Sequence, residues 1–328
     1  MGLGGVIKHI SPALYKKIVA VLDHKRYLRN KRWAMGGHPE YIIRDMYKNV
    51  FGREPDLDAP ITFNEKLQWL KLYWYDERAT ICSNKHLVRS YVEQKGLGDL
   101  LIPQYGVYNS PKEIDFTSLP DKFVLKPSHD SGHVILCTDK TAFDQIGAVK
   151  KLEKWLNVDY EFMSGEWPYS GLKYIVCEKF LEDKKAGELL DYKFFCFSGE
   201  PYLCFFCSDR KNHVKSDFYD MNWVKQDFRW YYEPSGRVFE KPETFELMKK
   251  YAQILSEGFP FVRVDFYEVE GKVYFGELTF FHGGGLGWFK PDEIDRQLGE
   301  QLILPQKSNP LPWDIVLGRQ QKGYNHVC

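Results

Sequence analysis

Phe261-Val-Arg-Val-Asp-Phe-Tyr-Glu-Val-Glu-Gly-Lys-Val-Tyr-Phe-Gly-Glu-Leu-Thr-Phe280 holds two runs of β-branched and aromatic residues on either side of Glu270-Gly271-Lys272. Such runs around a glycine turn predict a β-hairpin. Asp265 and Glu277 fall on opposite arms, and with side chains alternating at period two the register decides whether they meet. A two-residue loop at Glu270-Gly271 pairs Asp265 with Gly276 and sends Glu277 to the other face. A three-residue loop, with Gly271 left-handed, pairs Asp265 with Glu277, and one bulge does the same. We take the three-residue arrangement. It also places Arg263 and Thr279 on the face of the two acids, leaving Val262, Val264, Leu278 and Phe280 for the other.

Two facing carboxylates raise one another's pKa, and a divalent cation removes that conflict. Hard oxygen ligands beside the Thr279 hydroxyl suit Mg²⁺ held jointly with substrate phosphates. The competing account is a solvated cross-strand pair with Arg263 and Lys272 as counter-charges.

A chain of 328 residues can bury a large core and holds two or three structural units. Hydrophobic content of 44% and charge of 27% are those of an ordinary soluble globular protein. Zero net charge argues against a dedicated nucleic-acid binder. The seven cysteines form no CxxC pair and lie mostly in apolar runs, as at Cys177, Cys196, Cys204 and Cys207, which predicts buried thiols in a reducing compartment. No apolar run approaches a membrane span, and the N-terminus lacks a signal-peptide pattern. The expected location is the cytosol, or the cytosolic face of a membrane.

Residues 5–22 place Val6, Ile7, Ile10, Leu14, Ile18, Val21 and Leu22 at helical spacing, and residues 1–33 carry eight Lys or Arg against one acid, Asp23. A basic amphipathic helix can lie on an anionic membrane, each basic residue adding about 1 kcal/mol. Equally, its apolar face can pack on the domain behind it. Helices are also expected over Glu40–Phe51, from Thr62 to Tyr75 with Thr62 and Glu65 as a capping box, over Lys85–Lys95, over Phe143–Asn157 and over Pro242–Glu257. In the third, Lys85 and Arg89 lie four apart, a spacing that can grip a phosphate or simply face solvent. Pro111–Pro120 reads as a linker, Ser216–Tyr232 as a hairpin, and the tail from Gln306 as irregular and loosely attached.

Strands dominate from Asp121. Phe123–Ser128 and His133–Cys137 flank His129-Asp-Ser-Gly132, a small-residue loop whose amides can cap phosphates, with Lys126 entering from the strand end; a plain hairpin is the alternative. The strand Tyr174–Leu181 ends in Glu178, Lys179, Phe180 and Leu181, whose backbone can meet an adenine edge, unless Glu178 simply pairs with a lysine. Asp191–Phe197 and Pro201–Ser208 form another hairpin in which Lys193 interrupts the apolar face, and Arg210 follows at its end. The glycines of Phe281–Trp288, Gly284 among them, allow backbone to approach a ligand closely.

The order of these pieces resembles the ATP-grasp superfamily, and within it the TupA-like group tied to bacterial polysaccharide and teichuronopeptide synthesis. The resemblance runs from Thr62 to Leu304 and is carried by Thr62-Phe-Asn-Glu-Lys66, Val124-Leu-Lys-Pro127, Asp191-Tyr-Lys-Phe-Phe195, Arg263-Val-Asp-Phe266 and Gly276-Glu-Leu-Thr-Phe280. It implies an α+β fold in which two α+β subdomains clamp ATP behind a helical N-terminal region. The implied units are 1–60, 61–120, a small subdomain over 121–186, a large one over 187–305 and a tail over 306–328. By the same resemblance Lys126 holds the α- and β-phosphates, and Ser131 and Gly132 close over them. Glu178 to Leu181 form the adenine hinge, and Lys193 meets the γ-phosphate. Asp265, Glu277 and Thr279 carry Mg²⁺, with Thr279 standing where the superfamily usually has asparagine. Arg263 steadies the transferred phosphoryl group, while Lys85 and Arg89 face the acceptor side. The glycine loops at 130–132 and 283–287 are expected to act as lids. Arg210, His282, Gly284 and Trp288 are placed near the acceptor by position.

The implied activity is ADP-forming carboxylate–amine ligation through an acyl phosphate, on a uronic acid or similar carboxylate of a glycan precursor. Three alternatives stand beside it. A glycosyltransferase would want an Asp-x-Asp metal motif, whose nearest approach is Asp56-Leu-Asp58 in a loop. A sugar kinase would use the same grip and stop at phosphorylation. A non-catalytic glycan binder would use the aromatic strands for stacking.

Overall fold

The computed structural model describes residues 12–183, 188–210 and 213–321. The chain begins with α1 (Pro12–Met35) and α2 (Pro39–Phe51). Val6, Ile7 and Ile10 of the expected first helix lie outside the described residues, and α1 runs thirteen residues past its expected end at Leu22. It docks by that far half: Asn30 is buried and donates to the Phe162 carbonyl at 2.9 Å, while Lys31 pairs with Asp159 at 2.7 Å. Val21 and Leu22 are exposed, so this part of the apolar face does not pack on the domain behind it. Among the described residues no helix is long and apolar enough to cross a membrane.

α3 (Phe63–Tyr73) starts at a complete capping box, with the Thr62 hydroxyl accepting from the Glu65 amide at 3.2 Å and Glu65 reaching back to the Thr62 amide at 3.3 Å. Glu65 also takes Arg53 at 2.6 Å, so the cap ties the preceding loop to the helix. Thr62→Ala is expected to lower stability by about 1 kcal/mol, read as a lower urea midpoint at unchanged m value. In that loop Asp56 accepts from the Asp58 and Ala59 amides at 3.1 and 2.9 Å, so the nearest Asp-x-Asp sequence is a turn cap.

After α4 (Glu77–Ser83), Asn84 accepts from the His86 and Leu87 amides, and α5 covers Val88–Gln94. Lys85 therefore precedes the helix rather than sharing a helical face with Arg89, as the spacing predicted. A four-stranded antiparallel sheet follows, made of β1 (Gln104–Tyr108), β2 (Phe123–Pro127), β3 (Ile135–Cys137) and β4 (Ile175–Lys179) in the order β1-β4-β2-β3. One face of this sheet, with Phe123, Leu125, Ile135, Ile175 and Cys177, packs against Ala148 and Leu152 of α6 (Gln145–Leu156) in a core of its own. Period two turns Val124, Lys126, Val176 and Glu178 to the opposite face. Pro111–Pro120 is not a linker. A short turn at Pro111–Glu113 delivers Ile114, Phe116 and Leu119 into this small core. Short α7 (Tyr160–Ser164) leads back to β4.

The large sheet has five strands, β5 (Asp191–Phe197), β6 (Glu200–Ser208), β7 (Lys215–Asp220), β9 (Phe261–Val269) and β10 (Lys272–Thr279), in the order β10-β9-β5-β6-β7. The expected hairpin within Ser216–Tyr232 is reduced to a single antiparallel bridge between Tyr219 and Lys225, with the Gln226 amide donating to the Phe218 carbonyl at 2.8 Å. β7 pairs with β6, whereas β8 (Arg229–Trp230) leaves to pair with β11 (Phe289–Lys290). α8 (Phe245–Ser256) covers one face of the large sheet with Phe245, Met248 and Leu255, and on the other Phe63 of α3 stacks on Phe195 and meets Phe261 edge to face.

The hairpin β9 (Phe261–Val269) and β10 (Lys272–Thr279) closes through two residues, not three, with Glu270 and Gly271 both at positive φ (52° and 78°). This is the twist-matched hairpin turn. The register then slips at Gly276, between Phe275 opposite Phe266 and Glu277 opposite Asp265. The bulge thus restores the pairing that the three-residue loop was expected to give.

Beyond α9 (Glu293–Gln301), the described part of the tail is irregular only as far as residue 311. α10 (Pro312–Gln321) buries Trp313 and Val316 in the large core, and the Trp313 indole donates to the Lys71 carbonyl at 3.1 Å.

Candidate active site

Strand register builds the site on the large sheet. Lys193 lies opposite Asp265, and Asp265 opposite Glu277, so β5, β9 and β10 present a row of three charged residues. One step along, Phe195, Arg263 and Thr279 form the next row on the same face. The Arg263 guanidinium grips both oxygens of Asp265 at 2.7 Å and reaches Glu277 at 2.6 Å, while the Lys193 ammonium contacts Asp265 and Asp191 at 2.5 Å. Asp191 in turn pairs with Arg210. The result is a line of alternating charge: Arg210, Asp191, Lys193, Asp265, Arg263, Glu277.

Electrostatics follow from this line. Burial would depress Lys193, but Asp265 and Asp191 hold its pKa above the ordinary value. Burial raises Asp265 despite Arg263 and Lys193. At Glu277 burial also pushes up, yet Arg263, Lys193 and Lys85 outweigh it and keep the carboxyl well below the usual range. One acid of the pair is thus firmly ionised while its neighbour is held back, the outcome expected for carboxylates sharing a site.

Across a cleft stands the small sheet. Lys126 and Glu178 sit diagonally on β2 and β4 and form an ion pair of 2.7 Å. Burial opposes the charge of Lys126, and Glu178 and Tyr267 more than restore it, so its pKa is raised. Lys126 and Glu178 wall the cleft on one side, and Tyr267, Phe275 and Glu277 on the other. Lys85 and Arg89 line its end.

These strands fall within a stretch, residues 65–303, that matches the family model described as TupA-like ATPgrasp. The chain belongs to the TupA-like ATP-grasp family. Its fold is accordingly the α+β ATP-grasp fold, with a helical region before it. Comparison with curated protein sequences gives no match. Among solved structures it is similar to a D-alanine–D-alanine ligase from Bacillus anthracis (18% identity, 61% of this chain and 57% of that one, TM-score 0.39). It is also similar to the ATP-grasp ligase PsnB, solved with a precursor variant, Mg and ADP (12%, 69% and 60%, TM-score 0.38). A third is a phosphoribosylamine–glycine ligase from Thermotoga maritima (14%, 61% and 48%, TM-score 0.37). The chain spans less than two thirds of the length of each. These likenesses are loose, and membership rests on the family match.

Within this family member, the residues singled out from the sequence separate into groups. Lys126, Glu178, Lys85, Arg89 and Glu277 meet at the cleft, with Lys193, Arg263, Asp265 and Thr279 immediately behind Glu277 on the same face. Lys85 is engaged with the glycine loop, donating to the carbonyls of Pro127 (3.0 Å) and Asp130. Arg89 donates to the Ile102 carbonyl at 2.8 Å. Ser131 and Gly132 form the exposed tip of that loop, Gly132 at φ 88°, while Asp130 beneath them is buried between Lys85 and His133. The Lys179 amide donates to the Pro103 carbonyl at 2.9 Å and is not open to a base edge; Phe180 and Leu181 follow, half-buried.

Four acceptor-side candidates do not line the cleft. His282 is buried behind Arg263, which it meets at 3.1 Å under the rings of Trp230 and Phe195. Arg210 ends the charge line, and Trp288 lies beneath Arg229. Gly284 offers its carbonyl to Lys71 at 2.7 Å and Gln68 at 3.1 Å. Sequence reasoning passed over Asp191, although it opens the quoted Asp191-Tyr-Lys motif, and also Tyr267, which period two places beside Asp265, and Phe275, which lines the cleft from beside the bulge at Gly276.

Among the described residues no three acids, histidines or cysteines form a complete metal cage. The donor set nevertheless fits Mg²⁺, which takes one or two carboxylates and completes its shell with water and substrate phosphates. Asp265 and Glu277 are paired directly, and the Thr279 hydroxyl donates to Glu277 at 2.9 Å. Those three residues would hold the ion.

Proposed function

We propose that this protein is an ATP-dependent, ADP-forming carboxylate–amine ligase. The observation that carries the reading is the row Lys193–Asp265–Glu277, bridged by Arg263, facing Lys126 across one cleft. Three strongly held cations and a pair of acids on opposing sheets suit a polyphosphate brought in with a divalent ion. Mg²⁺, when bound, would neutralise phosphate charge. Lys126 and Lys193 orient the phosphates from the two sheets, and Arg263 stabilises charge on the group in transit.

A substrate carboxylate oxygen attacks the γ-phosphorus, the bond to the bridging oxygen breaks, and ADP leaves. An amine then attacks the acyl carbon and phosphate departs. Acyl phosphates hydrolyse, so excluding water matters as much as positioning. For the acid we propose a uronic acid or similar carboxylate of a bacterial surface-polysaccharide precursor, in keeping with the TupA-like grouping.

The test is ADP and phosphate release from ATP·Mg²⁺ against a panel of uronic acids with amino acids. ADP release should require both acid and amine. Lys126→Ala should weaken apparent ATP affinity by about 10–100-fold, the worth of one charge-assisted hydrogen bond. ADP release with acid alone and a stable phosphosugar product would make the protein a kinase. No nucleotide turnover or binding with any pair would sink the ligase reading and favour a glycan binder.

A further inference from the structure

Glu166 lies between α7 and the short turn Trp167–Tyr169, and only 7% of it is exposed. Among the described residues its carboxylate makes no hydrogen bond and no ion pair. Its backbone is well held, the amide donating to the Ser164 hydroxyl at 3.2 Å and the carbonyl accepting from Tyr169 at 3.2 Å. The side chain abuts the triglycine turn: a Cβ placed on Gly284 would stand 3.5 Å from the Glu166 Oε1 and 3.9 Å from the Lys71 Nζ. Lys71, also buried, directs its protons to the carbonyls of Gly284 (2.7 Å) and Ser164 (3.2 Å). That turn also carries His282, which touches Arg263 of the site.

A buried carboxylate without a donor is costly, and native structures keep such groups for a reason. The charges that act on it are Lys71 on α3 and Arg263 on β9, and the neutral phenols of Tyr160 and Tyr169 lie on its own segment. Burial raises the Glu166 carboxyl, and Lys71 and Arg263 only partly oppose that. No donor from the described protein satisfies it. Its oxygens are not sealed from solvent, so water can reach them, and so can a small ligand that brings its own positive charge and N–H groups.

We propose that Glu166 seats the amine substrate, taking a primary ammonium against its carboxylate beside the triglycine turn. This rests on the ligase reading above. In the acyl-transfer step the ammonium gives one proton to Glu166 and becomes a neutral amine. Its nitrogen lone pair attacks the acyl phosphate carbon, the C–N bond forms, and the C–O bond to phosphorus breaks with its electron pair going to phosphate. The second N–H proton leaves on hydrogen phosphate, and Glu166 returns its proton to solvent.

The binding test needs no turnover. The full chain is labelled with glutamate carrying ¹³C at the side-chain carboxyl, and Glu166→Gln identifies the Glu166 resonance. Glu166→Asp, which keeps a charge beside Lys71, serves for that assignment where the glutamine variant does not fold. Excess methylammonium chloride should lower the titration midpoint of that resonance by about one pH unit, a tenfold effect, whereas tetramethylammonium, which has no N–H, should not. Equal midpoints in both salts overturn the site.

Kinetics supply the second arm. With any acid–amine pair that supports ADP release, Glu166→Gln should raise the amine KM about tenfold or more and the acid KM far less. Equal rises, or none, overturn the site while leaving the ligase reading intact. Absence of turnover with every pair, alongside the methylammonium shift, overturns the ligase reading and leaves the amine site standing.

Discussion

Replacing Glu277 by glutamine is expected to lower ATP turnover by about 10²–10³-fold, the usual loss when one preorganised charge is removed from a phosphoryl-transfer site, while the chain stays folded. Glutamine keeps the shape and loses the charge. Arg263 retains both oxygens of Asp265, so no buried guanidinium is stranded. The Glu277 side chain keeps 42% of its surface, which limits what the substitution can cost in stability. The expected result is therefore a collapse in ADP release, measured by coupled assay, with a Tm within a few degrees of the wild type. A variant that turns over ATP normally would remove Glu277 from the machinery. One that unfolds would show its role to be structural.

Gly276→Ala is expected to do comparable damage by a different route. An added Cβ would stand 2.9 Å from the Asp265 carbonyl oxygen and 3.3 Å from the Asp265 carbonyl carbon and Cβ. The closest of these is backbone and cannot swing aside, so either the hairpin distorts, at about 1–3 kcal/mol, or the bulge is lost. Losing the bulge slips β10 by one residue and carries Glu277 to the opposite face. Turnover should then fall as far as in Glu277→Gln, together with a lower urea midpoint. Gly271→Asn is the control, since the position is open and its φ of 78° suits asparagine; it should retain most of both properties. Full activity in Gly276→Ala would show that the bulge does not set the register.

Much of this site was legible because its signals are local. Thr62 and Glu65 read as a cap from spacing alone, and the two arms of the final hairpin read from alternation. The pairing of Asp265 with Glu277 was also anticipated, but alternation fits a three-residue turn and a bulge at an in-strand glycine equally well, and the structure takes the bulge. Partners set by long-range register were beyond reach. Nothing near Asp191 announces that it shares Lys193 with Asp265, and Glu166 becomes notable only when Lys71, ninety-five residues earlier, is folded against the triglycine turn. The same holds for α10: its sequence is short and mixed, and only the pocket for Trp313 makes it a fixed helix. Ile114, Phe116 and Leu119 were hidden among prolines and charges that resemble a linker.

The two separate cores also bear on how the chain comes to be folded as it is made. The small core draws on residues between Tyr108 and Cys177, so all of its parts exist before any strand of the large sheet has been synthesised. The large core reaches from Tyr27 to Leu317 and is sealed by Trp313 and Val316, which emerge after every strand of both sheets. Domains assemble as units in the order their residues appear. The small sheet, with Lys126 and Glu178 already in register, is thus finished while its counterpart still waits for α10, and the cleft between the two sheets closes only once that helix has been made.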